Sequence, residues 1–205
     1  MVKNGIDLSK HNVVDNWCSV AQKVDFVILR AGGCFGKYYK DPKFEQYYNA
    51  CKMHGIPVGA YYDCGKEFYT HETGLAYAEH FKNLLSGKQF EYPVFMDIEV
   101  TPRNYRKMIT DATVAFCTKI EEYKYYVGIY ASDVFGFADL LEINRIGQFD
   151  KWVARYGRKP TYVKSYGIWQ NSSTARLTGI QGNVDLDTAY KDYPSIIKGA
   201  HLNGY

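Results

Sequence analysis

With 205 residues, 46% of them hydrophobic, the chain has the length and apolar content of one packed domain, which excludes a disordered or low-complexity protein. Its formal net charge of +3, without a dense run of Lys and Arg, excludes the electrostatic footprint of a nucleic-acid binder. No window is long and apolar enough to enter a membrane. The start, Met1-Val2-Lys3-Asn4-Gly5-Ile6-Asp7, moves straight into a strand-like segment without a signal-peptide core, so synthesis as a soluble cytoplasmic product is expected.

Eight apolar runs rich in β-branched and aromatic residues recur along the chain, at about 4–9, 25–31, 57–62, 92–99, 126–131, 150–155, 166–171 and 183–187. The gaps between the first six are long enough for helices. Asp41-Pro42 reads as a cap and first-turn proline, followed by the face Phe44, Tyr47, Tyr48 and Cys51, with Gly55 closing the helix. Thr73, Ala76, Tyr77, His80, Phe81, Leu84 and Leu85 keep the spacing of a buried helical stripe, as nearly do Met108, Ala112, Ala115, Phe116, Lys119, Ile120 and Tyr123. Alternation of this kind implies a parallel sheet. Between Arg155 and Tyr166 a packed crossover helix has little room, so some antiparallel pairing is expected there. The pattern predicts a single-domain α/β fold, a modified TIM-like barrel of five β/α units and three closing strands.

The cysteines (Cys18, Cys34, Cys51, Cys64, Cys117) are odd in number and show no paired spacing, so reduced and mostly buried thiols are expected. Tyrosine is abundant, at 20 residues. Aromatic faces suit sugar rings, although an intermediate position between core and surface is the ordinary fate of a tyrosine.

Four acids fall at or near predicted strand ends: Asp7 in the first, Asp97 and Glu99 in the fourth, and Asp185 in the eighth. Barrel active sites gather at the C-terminal strand ends, so an eighth strand parallel to the first would bring all four to one mouth. The sharpest signal is Tyr92-Pro93-Val94-Phe95-Met96-Asp97-Ile98-Glu99. Asp-x-Glu on a strand puts both acids on one face, with Cα atoms about 6.6 Å apart. In a semi-buried cleft such a pair does not ionise fully, and one member keeps a proton toward neutral pH. Glycosidic cleavage needs that arrangement, an acid for the leaving oxygen and a second carboxylate for the cationic centre.

The chain resembles glycoside hydrolase family 25, the Chalaropsis-type lysozymes of bacteria and phages. The matching pieces are Gly5-Ile6-Asp7-Leu8-Ser9, Phe26-Val27-Ile28-Leu29-Arg30-Ala31-Gly32, Pro57-Val58-Gly59-Ala60-Tyr61-Tyr62 and Asp97-Ile98-Glu99, followed by Gly128-Ile129-Tyr130-Ala131-Ser132, Lys151-Trp152-Val153-Ala154-Arg155-Tyr156, Ile168-Trp169-Gln170 and Val184-Asp185-Leu186. They stand in family order across the whole chain. The resemblance implies cleavage of the β-1,4 bond from N-acetylmuramic acid to N-acetylglucosamine in bacterial peptidoglycan, without a metal or cofactor. It makes Glu99 the general acid, Asp97 its partner carboxylate, and Asp7 and Asp185 acids lining the site. Tyr61, Tyr62, Tyr130, Trp152 and Trp169 correspond to the aromatic sugar groove, and Arg30 to its floor.

Two departures stand out. The family usually has Asn two residues after the closing Asp, where this chain has Asp187; by period two, Asp185 and Asp187 share a face, so either or both could contribute. Asp63-Cys64-Gly65 replaces a commoner aromatic and alanine. The expected mechanism uses the substrate's own acetamido group with net retention, direct attack by Asp97 being the alternative. The resemblance also implies a phage endolysin or bacterial autolysin, a monomeric catalytic domain over 1–205 that acts on the wall after release, with wall-binding modules beyond 205 in many relatives.

Other motifs are weaker. Gly32-Gly33-Cys34-Phe35-Gly36-Lys37 fails as a phosphate loop, because the first glycine is misplaced and Tyr38 follows the lysine; a substrate-facing loop is expected instead. Cys51 and His54 share a helical face but are too few for a metal site, and His80 reads as a packing residue. The rival functions are a metal-dependent hydrolase using Asp7, His11, Asp97, Glu99 and Asp185, a non-catalytic sugar-binding barrel, and a chitin-directed glycosidase.

Overall fold

The computed structural model describes residues 2–99 and 103–205. In chain order the elements are β1 (Lys3–Leu8), β2 (Val13–Val14), α1 (Trp17–Ala21), β3 (Phe26–Cys34), β4 (Tyr38–Lys40), α2 (Phe44–Met53), β5 (Val58–Asp63), α3 (His71–Leu85), β6 (Val94–Asp97), α4 (Arg106–Glu122), β7 (Val127–Ser132), β8 (Asp150–Ala154), β9 (Ile168–Ala175), β10 (Ile180–Gln181), β11 (Val184–Ala189) and α5 (Tyr193–Gly199). Among the described residues, eight strands close a barrel in the order β1-β11-β9-β8-β7-β6-β5-β3, with β3 returning to β1. These are the eight apolar runs of the sequence. The fifth β/α unit carries only a wide helical turn at Asp133–Ala138 and a short one at Ile143–Arg145.

The closing strands correct the expectation about direction. β8 and β9 are parallel, with Trp152 opposite Ile168, and residues 155–167 make the crossover without a helix. That stretch just reaches the dozen or so residues a parallel connection requires. The antiparallel strand is β11, paired against both β9 and β1. Because it runs backwards, its first residues lie where the other strands end.

Period-two alternation sorts the side chains. Ile6, Leu8, Val27, Leu29, Met96 and Ile129 face outward, where they pack with Tyr77, Phe81 and Phe116 of the helices. Phe26, Ile28, Phe95, Trp152 and Ile168 fill the barrel interior. Each buried ring of this size contributes about 1.5–3 kcal/mol. At the N-terminal end, Tyr193 and Ile197 of α5 insert into the interior cluster, and the Tyr193 hydroxyl donates to Asp150 Oδ2 at 2.8 Å. Buried Asn203 ties this floor to two strand starts, donating to the Tyr92 carbonyl and accepting from the Tyr126 amide.

Local signals behave unevenly. Thr70 and Thr73 form a capping box that starts α3. α2 begins at Phe44, after a turn at Pro42 and Lys43; the buried Asp41 carboxylate accepts the Lys43 amide at 3.0 Å, as a cap does, and also takes Arg30 Nε at 2.7 Å and the Lys10 amide at 3.0 Å. On α4 the stripe holds at Ala112, Ala115, Phe116 and Ile120, but at its start Met108 is exposed and Ile109 is buried in its place. The five cysteines are free thiols, and only Cys18 is exposed.

Gly5, Gly59 and Gly128 leave room for the interior aromatics. A Cβ at Gly128 would run into the Phe95 ring, which packs on Trp152 with centroids 5.2 Å apart. Gly128→Ala should therefore destabilise the fold by about 1–3 kcal/mol, as overpacking of closed cores does. A denaturant midpoint equal to that of the parent would show that the interior is looser than described.

Candidate active site

At the mouth of the barrel lies a cleft of about 200 Å³ lined by Asp7, Tyr61, Asp97, Glu99, Tyr130, Trp152, Tyr156, Gln170 and Asp185. Strand geometry places these side chains. Asp97 ends β6, level with Asp63 of β5 and Tyr130 of β7, and Glu99 follows two residues on. Asp7, near the end of β1, sits opposite Asp185, near the start of antiparallel β11. The four acids thus meet at one mouth although the eighth barrel strand is reversed. A larger groove of about 500 Å³ outside α3 and α4 holds only Asp111 and Glu122 as acids, and both are ion-paired.

Burial sets the protonation of the central pair. The Asp97 carboxyl is raised well above the usual range, first by desolvation and then by Glu99, Asp63 and Asp7, with Arg30 the opposing cation. Its Oδ1 is buried and receives no hydrogen bond from the protein. Glu99 stands at the rim with a solvent-exposed surface, and the surrounding wall raises its carboxyl too, against the Tyr130 hydroxyl 3.4 Å from Oε1. That contact is long, because the Tyr130 hydroxyl has a nearer acceptor in Gln170 Oε1 at 2.9 Å. A proton on Glu99 is therefore only lightly tied to the protein.

A second carboxylate group forms between β1 and β11. Buried Asp187 lies across from Gly5 and accepts the Trp152 indole N–H on Oδ1 at 2.7 Å. Desolvation pushes its carboxyl to about 8, and Asp185 adds to the effect. Asp7 is raised by desolvation, then by Asp187 and Asp185, and is opposed by the Gln170 amide, which donates to Oδ2 at 2.7 Å. Trp152, held by Asp187, packs against Tyr130 at 4.4 Å and Tyr61 at 6.0 Å between centroids.

Not every residue expected at the site reaches the cleft. Tyr61 does, and Tyr62 therefore does not: alternation sends it into the helix layer, where it is fully buried with its hydroxyl 2.9 Å from His80 Nδ1. Trp169 alternates away from inward Ile168 and Gln170, and its indole donates to the Arg155 carbonyl. Arg30 points inward but lines the neighbouring cavity, bonded to Asp41. Asp187 lies beneath the cleft rather than on its surface. His11 also lines the neighbouring cavity, and among the described residues no three His, Cys, Asp or Glu side chains are grouped to hold a metal ion.

Four contributors were not predicted from sequence. Gln170 accepts from Tyr130 and Tyr156 while donating to Asp7, so it links both acid groups; its inward register after Trp152 was the available signal. Tyr156 adds an aromatic wall, and Asp63 a further charge. Asp133 is buried and accepts the amides of Thr161, Tyr162 and Val163 together with Arg155, which fastens the crossover loop that carries Tyr156. Nothing in its sequence neighbourhood marks it.

An eight-stranded barrel with paired, proton-retaining carboxylates at its mouth has the architecture of a barrel glycosidase. The family model for glycosyl hydrolases family 25 matches residues 6–180, and the chain belongs to that family. It is 29% identical over 185 residues to the autolytic lysozyme of Clostridium acetobutylicum, a match that takes in 89% of this chain but only 54% of that protein, so the chain spans about half that relative's length. Among solved structures it resembles the CTP1L endolysin (TM-score 0.80, 26% identity, 96% of this chain and 70% of the other). It also resembles the lysozyme of Streptomyces coelicolor (TM-score 0.78, 20% identity, 97% and 98%), a likeness of fold.

Asp187 offers a test of the electrostatics. Folded, it keeps a proton up to pH about 8, whereas the unfolded chain releases it above its ordinary 3.8. Across that window the unfolded state binds fewer protons, so this residue makes stability fall as pH rises. Asp187→Asn keeps an acceptor for Trp152 and cannot ionise. Its melting temperature should decline less between pH 4 and 8 than that of the parent, and parallel curves would contradict the assignment.

Proposed function

We propose that the chain is a muramidase, hydrolysing the β-1,4 bond from N-acetylmuramic acid to N-acetylglucosamine in peptidoglycan, with Glu99 as general acid and Asp97 as its partner. One observation carries this reading: two carboxyls on one strand end face a single cleft, both raised by burial, one of them with an oxygen that the protein leaves unbonded. The names of the relatives, an autolytic lysozyme and an endolysin, support a wall glycan as substrate.

Glu99, lightly held by Tyr130, gives its proton to the glycosidic oxygen as the bond to C1 breaks. Asp97 accepts the N–H of the muramoyl acetamido group, and the acetamido oxygen attacks C1 from the opposite side, giving a bicyclic oxazolinium intermediate. Water then attacks C1 and passes its proton to the Glu99 carboxylate, which restores the starting enzyme with net retention. Tyr61, Tyr130 and Trp152 provide the floor against which the sugar packs, and Asp7 and Asp185 bound it on the far side.

The working site is the bacterial wall, reached by a monomer after release from the cell that makes it, as an endolysin or autolysin. No described helix is long and apolar enough to cross a membrane.

Glu99→Gln should lower kcat on peptidoglycan by about 10²–10⁴. Digestion by the parent should release fragments with reducing N-acetylmuramic acid, read by mass spectrometry. Reducing N-acetylglucosamine or freed stem peptides would refute the bond assignment, and preferential cleavage of purified chitin would point to the chitin-directed alternative. A thiazoline analogue of the muramoyl sugar should inhibit competitively. A covalent sugar ester trapped on Asp97 would replace the acetamido nucleophile with direct attack.

A further inference from the structure

Next to the acid cleft, on the side of β3 and β5, lies a second cavity of about 440 Å³, whose lining includes Lys10, His11, Arg30, Lys37, Tyr39 and Asp63. Asp63 lines this cavity on the strand next to that of Asp97, which lines the cleft. Its Cα is in register with Asp97, and after burial its charge is among those that raise Asp97 and Glu99. A group bound in this cavity is therefore close to the reacting bond.

The acids here are already engaged. Asp41 takes Arg30 and the amides of Lys10 and Lys43, while Asp63 takes the Tyr39 hydroxyl at 2.9 Å and the Gly65 amide at 3.2 Å. Lys40 is paired with Glu45 at 2.6 Å. The ammonium groups of exposed Lys10 and Lys37 have no acid partner among the described residues. Arg30 Nη2 is buried without an acceptor, an uncommon state for a charged donor. The backbone that carries Lys37 is fixed: the tight β3–β4 turn has Gly36 at φ 72° and the Phe35 amide donating to the Lys37 carbonyl at 3.1 Å. This is the Gly-rich segment that fails as a phosphate loop. Its lysine lines this second cavity.

Two free ammonium groups and an unsatisfied guanidinium nitrogen beside an acidic centre call for an anion. The two N-acetyl sugars of the glycan are otherwise neutral, and only the muramoyl unit carries acids, on its lactyl ether and on the peptide stem attached there. We propose that this cavity is a carboxylate-binding flank that takes the muramoyl substituent, with Lys10 and Lys37 as specificity-determining cations. The assignment rests on the muramidase reading.

The test compares three glycans free of teichoic acid: intact peptidoglycan, strands stripped of stems by an amidase so that the lactyl acid is free, and the same strands with that acid neutralised as its methylamide. The charge-reversed Lys10→Glu/Lys37→Glu protein should show KM raised about three- to tenfold on acid-bearing glycan, the loss expected for two solvent-exposed ion pairs. On the neutralised strands the difference from the parent should close, and Lys10→Arg/Lys37→Arg should restore the parental KM. A KM effect on stripped strands assigns the lactyl acid, and one confined to intact peptidoglycan assigns the stem. An unchanged KM on both acid-bearing glycans overturns the flank, provided the parent releases reducing N-acetylmuramic acid. If the parent releases none, the muramidase reading fails first and the flank falls with it. Co-sedimentation of the same variants on a Glu99→Gln background with insoluble peptidoglycan gives a readout independent of turnover, and unchanged binding there would also overturn the proposal.

Discussion

Burial of carboxylates that the fold forces together, with their mutual repulsion second to it, governs this mouth. Asp7, Asp97, Glu99, Asp185 and Asp187 converge from β1, the end of β6 and β11, and burial raises each of their carboxyls. The cation that opposes Asp97, Arg30, already gives its Nε to Asp41. Protons take the place of missing countercharge, which is the state acid catalysis at a glycosidic bond requires. Such a cluster would spread apart on flexible loops. Here each acid is fixed by a strand or by the residues just after one.

The rigidity comes from below. Phe95, Trp152 and Phe26 fill the interior under the acids, with glycines conceding the volume, and α5 closes the opposite end. Gln170 and Trp152 then act as neutral spacers among like charges. One donates its amide to Asp7 and the other its indole to Asp187, so neither carboxyl depends wholly on water or on its neighbour. Asp133 does a related task at the rim, trading a buried charge for three loop amides and Arg155.

Much of this could be read from the chain. Eight apolar runs with helical spacing between them gave the barrel, and the Asp97-x-Glu99 strand end gave the central pair, because period-two alternation is a strong local signal. The same rule separates Tyr61 from Tyr62 and sends one of them away from the groove, where the family resemblance implies both. Trp169 failed for the same reason. The direction of β11 was hidden because pairing between chain ends leaves no local trace, and Asp185 reaches the mouth only because it opens a reversed strand. Gln170, Asp63 and Asp133 act through partners distant in sequence, which composition and spacing do not encode. Asp187 was noticed as a departure, but its burial under Trp152 was not legible.

The barrel closes where β1 meets β11, and the Gln170–Asp7 bond across this region spans 163 residues. Loop-closure entropy makes such distant pairings slow to form. The seam that completes the cylinder is thus also the place where three acids must approach one another, so the last zipping step works against their charge as well as against chain entropy. In the unfolded chain those three groups are charged above their ordinary 3.8, so closing the seam near neutral pH draws protons out of solution, and completing the catalytic mouth is itself a proton-uptake step.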